Sequence, residues 1–478
     1  MKPAEIDIGA MSARALGDEI VSAQLFGGAY AEDARIHRLF TAMRAHGKPV
    51  KAEPDNTRPF WALTRHADIM QVSTDQDSFI SSRRLTLMSR LQEAAAFKGA
   101  ERYGKVLRTL IHMDEPDHKQ YRAVTQPWFS GAAARQQQAV LDALSIEYMA
   151  KLTAAATGVE SAVGSVGGSV VDGAVDNQGR RSGSIDFAAE IATLYPLRVI
   201  MAILGVPLED LPLMHRLTKV LAAPQDPDFG SDVEAGVTLF DSIPEFTEYF
   251  LKMMEDRRKH PRDDLASVIA NGTINGAAVN GKAGKPGPMG ELETVSYYIT
   301  MAVAGHDTTA AAMAGGCLAL AQRPDQWARL RAQPELMKSA ADEMNRWVTP
   351  IKHFMRSATR DIEVGGATIK KGDGVCMVYL AGNRDEAVFD APFEFRINRH
   401  PNRHLAFGFG AHVCLGMALS RLELMAWFGE MSRQVETLEM AGPVRPVETN
   451  FLGGFKNVPI RYTLAREGGA APALHEAA

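Results

Sequence analysis

From Val295 to Gln322 the chain reads VSYYITMAVAGHDTTAAAMAGGCLALAQ, a long apolar segment without a proline. As a single helix it would be roughly 42 Å long, enough to cross a bilayer. Its centre argues against that. His306, Asp307, Thr308 and Thr309 stand together there, and a lipid-facing helix does not tolerate them. The segment is therefore read as a helix buried inside a large protein. Met301, Ala304, Gly305 and Thr308 share one face at i, i+3, i+4 and i+7. Small side chains on that face let a flat ligand approach, and a hydroxyl lies beside a carboxylate. A Ser or Thr inside a helix can also bond back to the i−4 carbonyl and bend it. Taken alone, Asp-Thr-Thr reads equally well as a satisfied polar patch in a core helix.

The rest of the chain agrees with a helical protein. DARIHRLFTAMRAHG, ARQQQAVLDALSIEYMAKLTAAA, PEFTEYFLKMMEDRRKH and PDQWARLRAQPELMKSAADEMNRWV repeat apolar residues at helical spacing. Strands are short. PFWALTRHADI starts like one, ATRDIEVGGATIKKGDGVCMVYLAG reads as a hairpin turning at Gly365-Gly366 and then another strand, and KNVPIRYTLAR is extended. The expectation is a mainly α protein with small β-sheets, a helix-rich part plus a minor β-rich region. Residues 1–467 are read as one domain. Residues 157–184 and 271–290, rich in Gly, Ser, Val, Asn and Pro, are read as inserted surface loops, the first flexible or a loose hairpin. Residues 468–478 are read as a disordered tail.

A net charge of −5 over 478 residues gives no basic footprint for nucleic acid. Cys317, Cys376 and Cys414 are far apart and lack C-x-x-C spacing, which excludes a disulfide framework or a cysteine zinc site and fits a reducing compartment. The opening MKPAEIDIGAMSARALGDEI has no apolar run of the kind that anchors or exports a chain. A cytoplasmic protein with no membrane association is expected.

Of the three cysteines, only Cys414 has a setting for chemistry. It follows a glycine-rich stretch, HLAFGFGAHVC, and precedes LGMALSRLELMAWFGEM, a convincing helix. A helix N-terminus supplies unpaired N–H groups and a positive dipole end, both of which favour a thiolate. Gly408, Gly410 and Gly416 permit tight turns and close approach of a ligand, Phe407 offers an aromatic wall, and His412 can reach an anionic group. Cys317 and Cys376 read as small buried hydrophobes. Upstream, Glu343 and Arg346 share a helix face at i, i+3. An arginine from FRINRHPNRH, such as Arg399, would close a triad with them and staple that irregular stretch to the helix.

These residues together resemble the cytochrome P-450 family. FGFGAHVCLG is similar to the family's haem-binding signature at Phe407, Gly410, His412, Cys414 and Gly416. AGHDTT is similar to its oxygen-activating motif, EMNR to its Glu-x-x-Arg helix, and HMDEPDHKQYR to its H-x-x-x-R pattern at His118 and Arg122. MRSATRDIEV, AGNRDEAVFDAP and TNFLGGFKNVPIRYT further resemble the soluble bacterial α-terpineol monooxygenase subgroup.

The resemblance implies a haem b (iron protoporphyrin IX) held between the long central helix and the cysteine loop. Cys414 would be its thiolate ligand. His118, Arg122, Arg356 and His412 would bind its propionates, and Ala304, Phe407, Gly408 and Gly416 would border it. Asp307 and Thr308 would deliver protons during oxygen activation, and Glu343, Arg346 and Arg399 would form a structural triad. The implied reaction inserts one atom of O2 into a C–H bond, with electrons from an iron–sulfur ferredoxin and its reductase. Lys119, Arg403 and Arg421 are candidates for that partner's docking patch. The implied substrate is a monoterpenoid such as α-terpineol or an alkyl-aromatic compound, walled by Met301, Ala304, Ile351, Phe354 and Leu452. The alternatives are a steroid or fatty acid, or a haem-thiolate protein that binds a ligand without oxygenating it. Lys352 and His353 are polar exceptions in the wall, and His353 is read as surface or backbone-bonded.

Overall fold

Gly305 and His306 interrupt the long apolar segment, so the expected single helix is two, Glu291–Ala304 and Asp307–Ala321. The cause is local. The Thr308 hydroxyl donates to the Ala304 carbonyl at 2.9 Å, competing with the backbone for it. A side chain at Gly305 would also run into Ile200, 2.8 Å from its Cβ position.

The structure, a computed structural model, describes residues 11–20, 34–94, 107–157, 174–175, 180–223, 226–228, 235–274 and 286–465. Among these residues no helix is long and apolar enough to cross a membrane. The two central helices lie in a large helical core. Around them are the helices Gln138–Thr157, Leu194–Leu204, Met337–Val348 and Met417–Gln434, with buried Tyr195, Trp327 and Trp427 among the packed side chains.

A five-stranded sheet flanks this core in the order Val50–Ala52, Phe60–Leu63, Gly374–Val378, His353–Ala358, Phe79–Ile80. Phe60–Leu63 runs parallel to Gly374–Val378, pairing Phe60 with Gly374, and the other pairings are antiparallel. Gly374–Val378 is buried along its whole length, as an unbroken apolar run predicts for an inner strand. The expected hairpin is present as Ile362–Val364 and Ala367–Ile369. Its turn residues Gly365 and Gly366 have φ of +54° and +81°, which glycine adopts without cost.

A second sheet orders Val435–Met440, Pro459–Leu464, Arg181–Asp186 and Ala174–Val175. Ala174–Val175 pairs antiparallel with Arg181–Ser182, as the hairpin alternative of the 157–184 reading has it, and Arg181 to Ser184 continue into the sheet as strand. Gly183 made the stretch look loop-like, but glycine is what fits, because a Cβ there would lie 2.7 Å from the Tyr462 hydroxyl. Thr157 ends a helix, and 158–173 and 176–179 lie outside the described residues. In the 271–290 reading, Thr273–Ile274 pairs with Gly287–Pro288, and 275–285 lie outside the described residues. The expected tail 468–478 lies outside them too.

Candidate active site

Cys414 sits on the loop between the five-stranded sheet and the Met417–Gln434 helix, its N–H bonded to the Phe407 carbonyl at 2.8 Å. Two glycines shape this loop. Gly408 and Gly410 have φ of +67° and +73°, and a Cβ on Gly410 would lie 2.1 Å from the Ser73 carbonyl. The loop is thus pressed onto the His66–Thr74 helix at a point where only glycine fits. Phe407 is half-buried, with the Arg421 guanidinium 5.2 Å from its ring centroid.

The Cys414 side chain carries open surface. Burial nevertheless pushes its thiol pKa up, against the pull of the Gly416 backbone and of Arg122 and Arg421. Open surface together with desolvation marks a group that lines an inner cleft. Ala304, midway through the buried central segment, is also exposed, and Thr308 is half-buried. A Cβ on Gly416 would meet no atom within 4 Å.

Four nitrogen-bearing side chains gather at one end of this cleft. The His118 and His412 rings are 4.0 Å apart, and Arg122 and Arg356 act on His412 electrostatically. Desolvation and these neighbours depress His412 to about 2. Arg122 donates to the Val413 carbonyl at 2.8 Å, tying the Asp117–Thr125 helix to the cysteine loop. Buried Arg356 donates to its own neighbour's carbonyl at Met355, 2.8 Å away. Among the described residues neither arginine forms an ion pair, and His118 Nε2 is buried without a partner. Ser81 holds His412 Nε2 at 3.3 Å. Two desolvated guanidiniums and an orphaned imidazole nitrogen suit the carboxylates of a flat anionic cofactor. With a thiol and a small-residue helix face on the same cleft, the residues present fit a haem.

Asp307 is buried, with Oδ1 held by Lys219 Nζ at 2.8 Å and Oδ2 without a hydrogen bond. Burial pushes this carboxyl up, but His306 and Lys219 outweigh it and hold it below the usual carboxylate range. Desolvation depresses His306 itself to about 4, so the cation that counts at neutral pH is Lys219. His306 Nε2 lies 2.7 Å from the Thr193 carbonyl and therefore donates, while Nδ1 faces the Thr218 hydroxyl at 2.9 Å. Sequence reasoning singled out Asp307 but missed Lys219 and Thr218. Both lie on Leu211–Ala222, a helix with no motif to mark them.

Glu343, Arg346 and Arg399 meet in the core. Arg346 grips Glu343 with two bonds of 2.8 Å, and Arg399 Nε lies 3.1 and 3.2 Å from its two oxygens. The arginines then donate to the carbonyls of Asn383, Asp390, Ala391, Pro392 and Glu394, fixing the irregular stretch before the cysteine loop. Arg384 extends the set by donating to the Arg346 and Trp347 carbonyls, and sequence reasoning did not name it. Of the docking candidates, Lys119 and Arg403 are exposed, and Arg421 is bonded to Asp342 at 2.6 Å.

Of the expected pocket residues, Ile351 and Leu452 are brought together by an antiparallel bridge. Leu452 packs with Ala222, Ala311 and Val348, and Ile351 and Val303 pack against that group. Phe354 joins the side chains under the five-stranded sheet and stacks edge-on with Phe451 at 5.4 Å. Met301 belongs to the helical core. The two polar exceptions each bond backbone, though among the described residues His353 Nδ1 is buried without a hydrogen-bond partner. His353 Nε2 accepts from Leu87 N at 2.9 Å, and Lys352 donates to the Thr449 carbonyl at 2.6 Å. Cys317 and Cys376 are buried.

Residues 201–459 match the family model Cytochrome P450. The chain is 35% identical to Cytochrome P450-terp from a Pseudomonas species, over 95% of this chain and 100% of that one. It is 29% identical to linalool 8-monooxygenase from Pseudomonas putida, over 89% and 95% of the two chains. The crystal structure of CYP108D1 from Novosphingobium aromaticivorans superposes with a TM-score of 0.77 at 32% identity, covering 94% of this chain and 98% of that one. The family match spans more than half the chain and the Pseudomonas relative nearly all of it. The chain belongs to the cytochrome P450 family and is a haem-thiolate monooxygenase.

Proposed function

We propose that the enzyme hydroxylates a compact hydrophobic substrate, a monoterpenoid such as α-terpineol or an alkyl-aromatic of similar size, using haem b and electrons from an iron–sulfur ferredoxin and its reductase. The observation that carries this reading is the Ile351–Leu452 wall. It is aliphatic, packed with Ala222, Ala311 and Val348, and beside it Lys352 and His353 Nε2 are turned to backbone partners. Such a wall offers shape and apolar contact and few hydrogen bonds, which suits a small hydrocarbon-like molecule. The terpene-related names among the relatives support the same class.

Cys414 is the residue to ligate the iron, and Arg122, Arg356, His118 and His412 the residues to hold the propionates. Haem, when bound, supplies the oxidising chemistry that places one atom of O2 in a C–H bond. The chain's part is to orient, shield and move protons. Thr308 fixes its hydroxyl by donating to the Ala304 carbonyl at 2.9 Å, and its oxygen keeps lone pairs that can accept a hydrogen bond. At Asp307, Lys219 occupies Oδ1 and His306 Nδ1 lies 3.5 Å from Oδ2, whose hydrogen-bonding capacity is unfilled and can receive a proton in passing. Ala304 and Gly305 keep that part of the helix thin.

Titrating α-terpineol into the haem-loaded enzyme and following the Soret band tests the substrate class. A low- to high-spin shift at micromolar ligand is expected. A Soret band that α-terpineol leaves in place, but a steroid or fatty acid shifts, would overturn the assignment.

A further inference from the structure

The turn that carries Leu452 lies within a hairpin formed by Arg445–Pro446 and Phe455–Asn457. Lys352 fastens one side of it through the Thr449 carbonyl. The other side meets residues 226–228, just beyond the Leu211–Ala222 helix. Asp226 is wholly buried there. Lys456 Nζ lies 3.0 Å from Asp226 Oδ1 and 2.9 Å from Asp228 Oδ2. The Glu448 N–H donates to Asp226 Oδ2 at 2.7 Å, and Arg445 pairs with Asp228 at 2.7 Å. Both arms of the hairpin are thus bonded to the segment that follows the helix. The helix itself adds Ala222 to the group around Leu452.

We propose that Asp226 and Lys456 form an ionic latch that fastens the end of the Leu211–Ala222 helix to the C-terminal hairpin, closing the pocket wall and setting how fast a ligand exchanges. A permanent joint would be made more firmly by apolar side chains, because burying a charge pair has a high desolvation cost. A charge pair suits a joint that opens, since its members rehydrate when they part. Asp228, Glu448 and Arg445 around it are already about half open to water. Lys456 is then a positioning residue that acts through Leu452. The inference rests on the assignment of Ile351 and Leu452 to the pocket.

The test is stopped-flow exchange of 4-phenylimidazole and imidazole on the haem-loaded enzyme, read as the Soret shift of nitrogen ligation. Lys456→Met leaves the buried Asp226 unpaired and lowers stability, so the variant to read is D226N/K456M, which removes both charges. It should release 4-phenylimidazole about tenfold faster than wild type, with a smaller change for imidazole, and Lys456→Arg alone, which keeps the charge pair, should keep the slow rate. Wild-type release from the folded, haem-loaded double variant would overturn the latch. Leu452→Ala reads the pocket separately. Unchanged azole affinity there would sink the pocket assignment itself, whereas weakened affinity there with wild-type release from the double variant would sink the latch alone.

Discussion

Lys219 Nζ and Asp307 Oδ1 are 2.8 Å apart, joining two helices through residues separated by 88 positions in the chain. The pair is nearly enclosed, with 15% of the lysine side chain and 2% of the aspartate exposed. An enclosed carboxylate of this kind is ionised because its partner keeps it so.

Lys219→Met should therefore cost about 3 kcal/mol of stability at pH 7, the usual cost of stranding a buried charge. Burial raises the Asp307 pKa, but His306 and Lys219 bring it below its unfolded value. The stability this gives is present above the unfolded value of about 3.9 and lost as pH falls through the folded one. Melting curves of the variant and wild type should diverge at pH 7 and converge below about pH 4. A gap that does not change with pH would contradict the pairing.

Thr308→Ala removes the hydroxyl but leaves the helix and its small-residue face. Haem content and substrate-induced Soret shift should be kept, while product per electron falls, roughly hundredfold if the hydroxyl carries the proton transfer, with peroxide accounting for the difference. Full coupling in the variant would remove Thr308 from the relay.

Glu343 accepts from Arg346, Arg399, the Arg396 N–H and Asn402. Glu343→Gln keeps the shape and deletes the charge, leaving two buried guanidiniums without it. A loss of about 3–5 kcal/mol is expected, with poor haem retention, because the stretch it fixes leads into the cysteine loop. Denaturant unfolding of the haem-free chain measures this. A wild-type midpoint would contradict the triad's structural role.

Glu423 is buried on the Met417–Gln434 helix, and its Oε2 has no hydrogen-bond partner. Desolvation raises its pKa well above the usual value. The folded state thus holds a proton that the unfolded chain gives up above about pH 4.3, so this group's contribution is intact below that pH and declines as pH rises. Glu423→Gln should match wild type near pH 4 and be the more stable protein at pH 9. Parallel stability curves across that range would contradict the protonated state of Glu423.

Local patterns were legible in the sequence where spacing alone sets geometry. The Gly365-Gly366 turn and the Glu343–Arg346 pair each depend on residues within one turn or one hairpin, whereas the cysteine loop was legible as a motif although the reason for Gly410, its contact with Ser73, is distant. The break at Gly305-His306 was half legible. The Thr308 back-bond is visible in the pattern, but the Ile200 contact that favours glycine there is not. Long-range partners left no trace. Nothing near Lys219 marks it as the counter-ion of Asp307, and Gly183 looked like a loop because its reason, Tyr462, is far along the chain. The pocket was read by analogy of position. The packing joins Ile351 to Leu452 directly and leaves Met301 in the helical core.

Turnover of α-terpineol under ¹⁸O₂ with ferredoxin, reductase and a reduced nicotinamide, followed by mass spectrometry of the product, tests the monooxygenase and its substrate together. A hydroxylated terpenoid that carries one heavy oxygen atom is expected, and no such product from Cys414→Ser. An unlabelled product, or equal labelled product from Cys414→Ser, would contradict it.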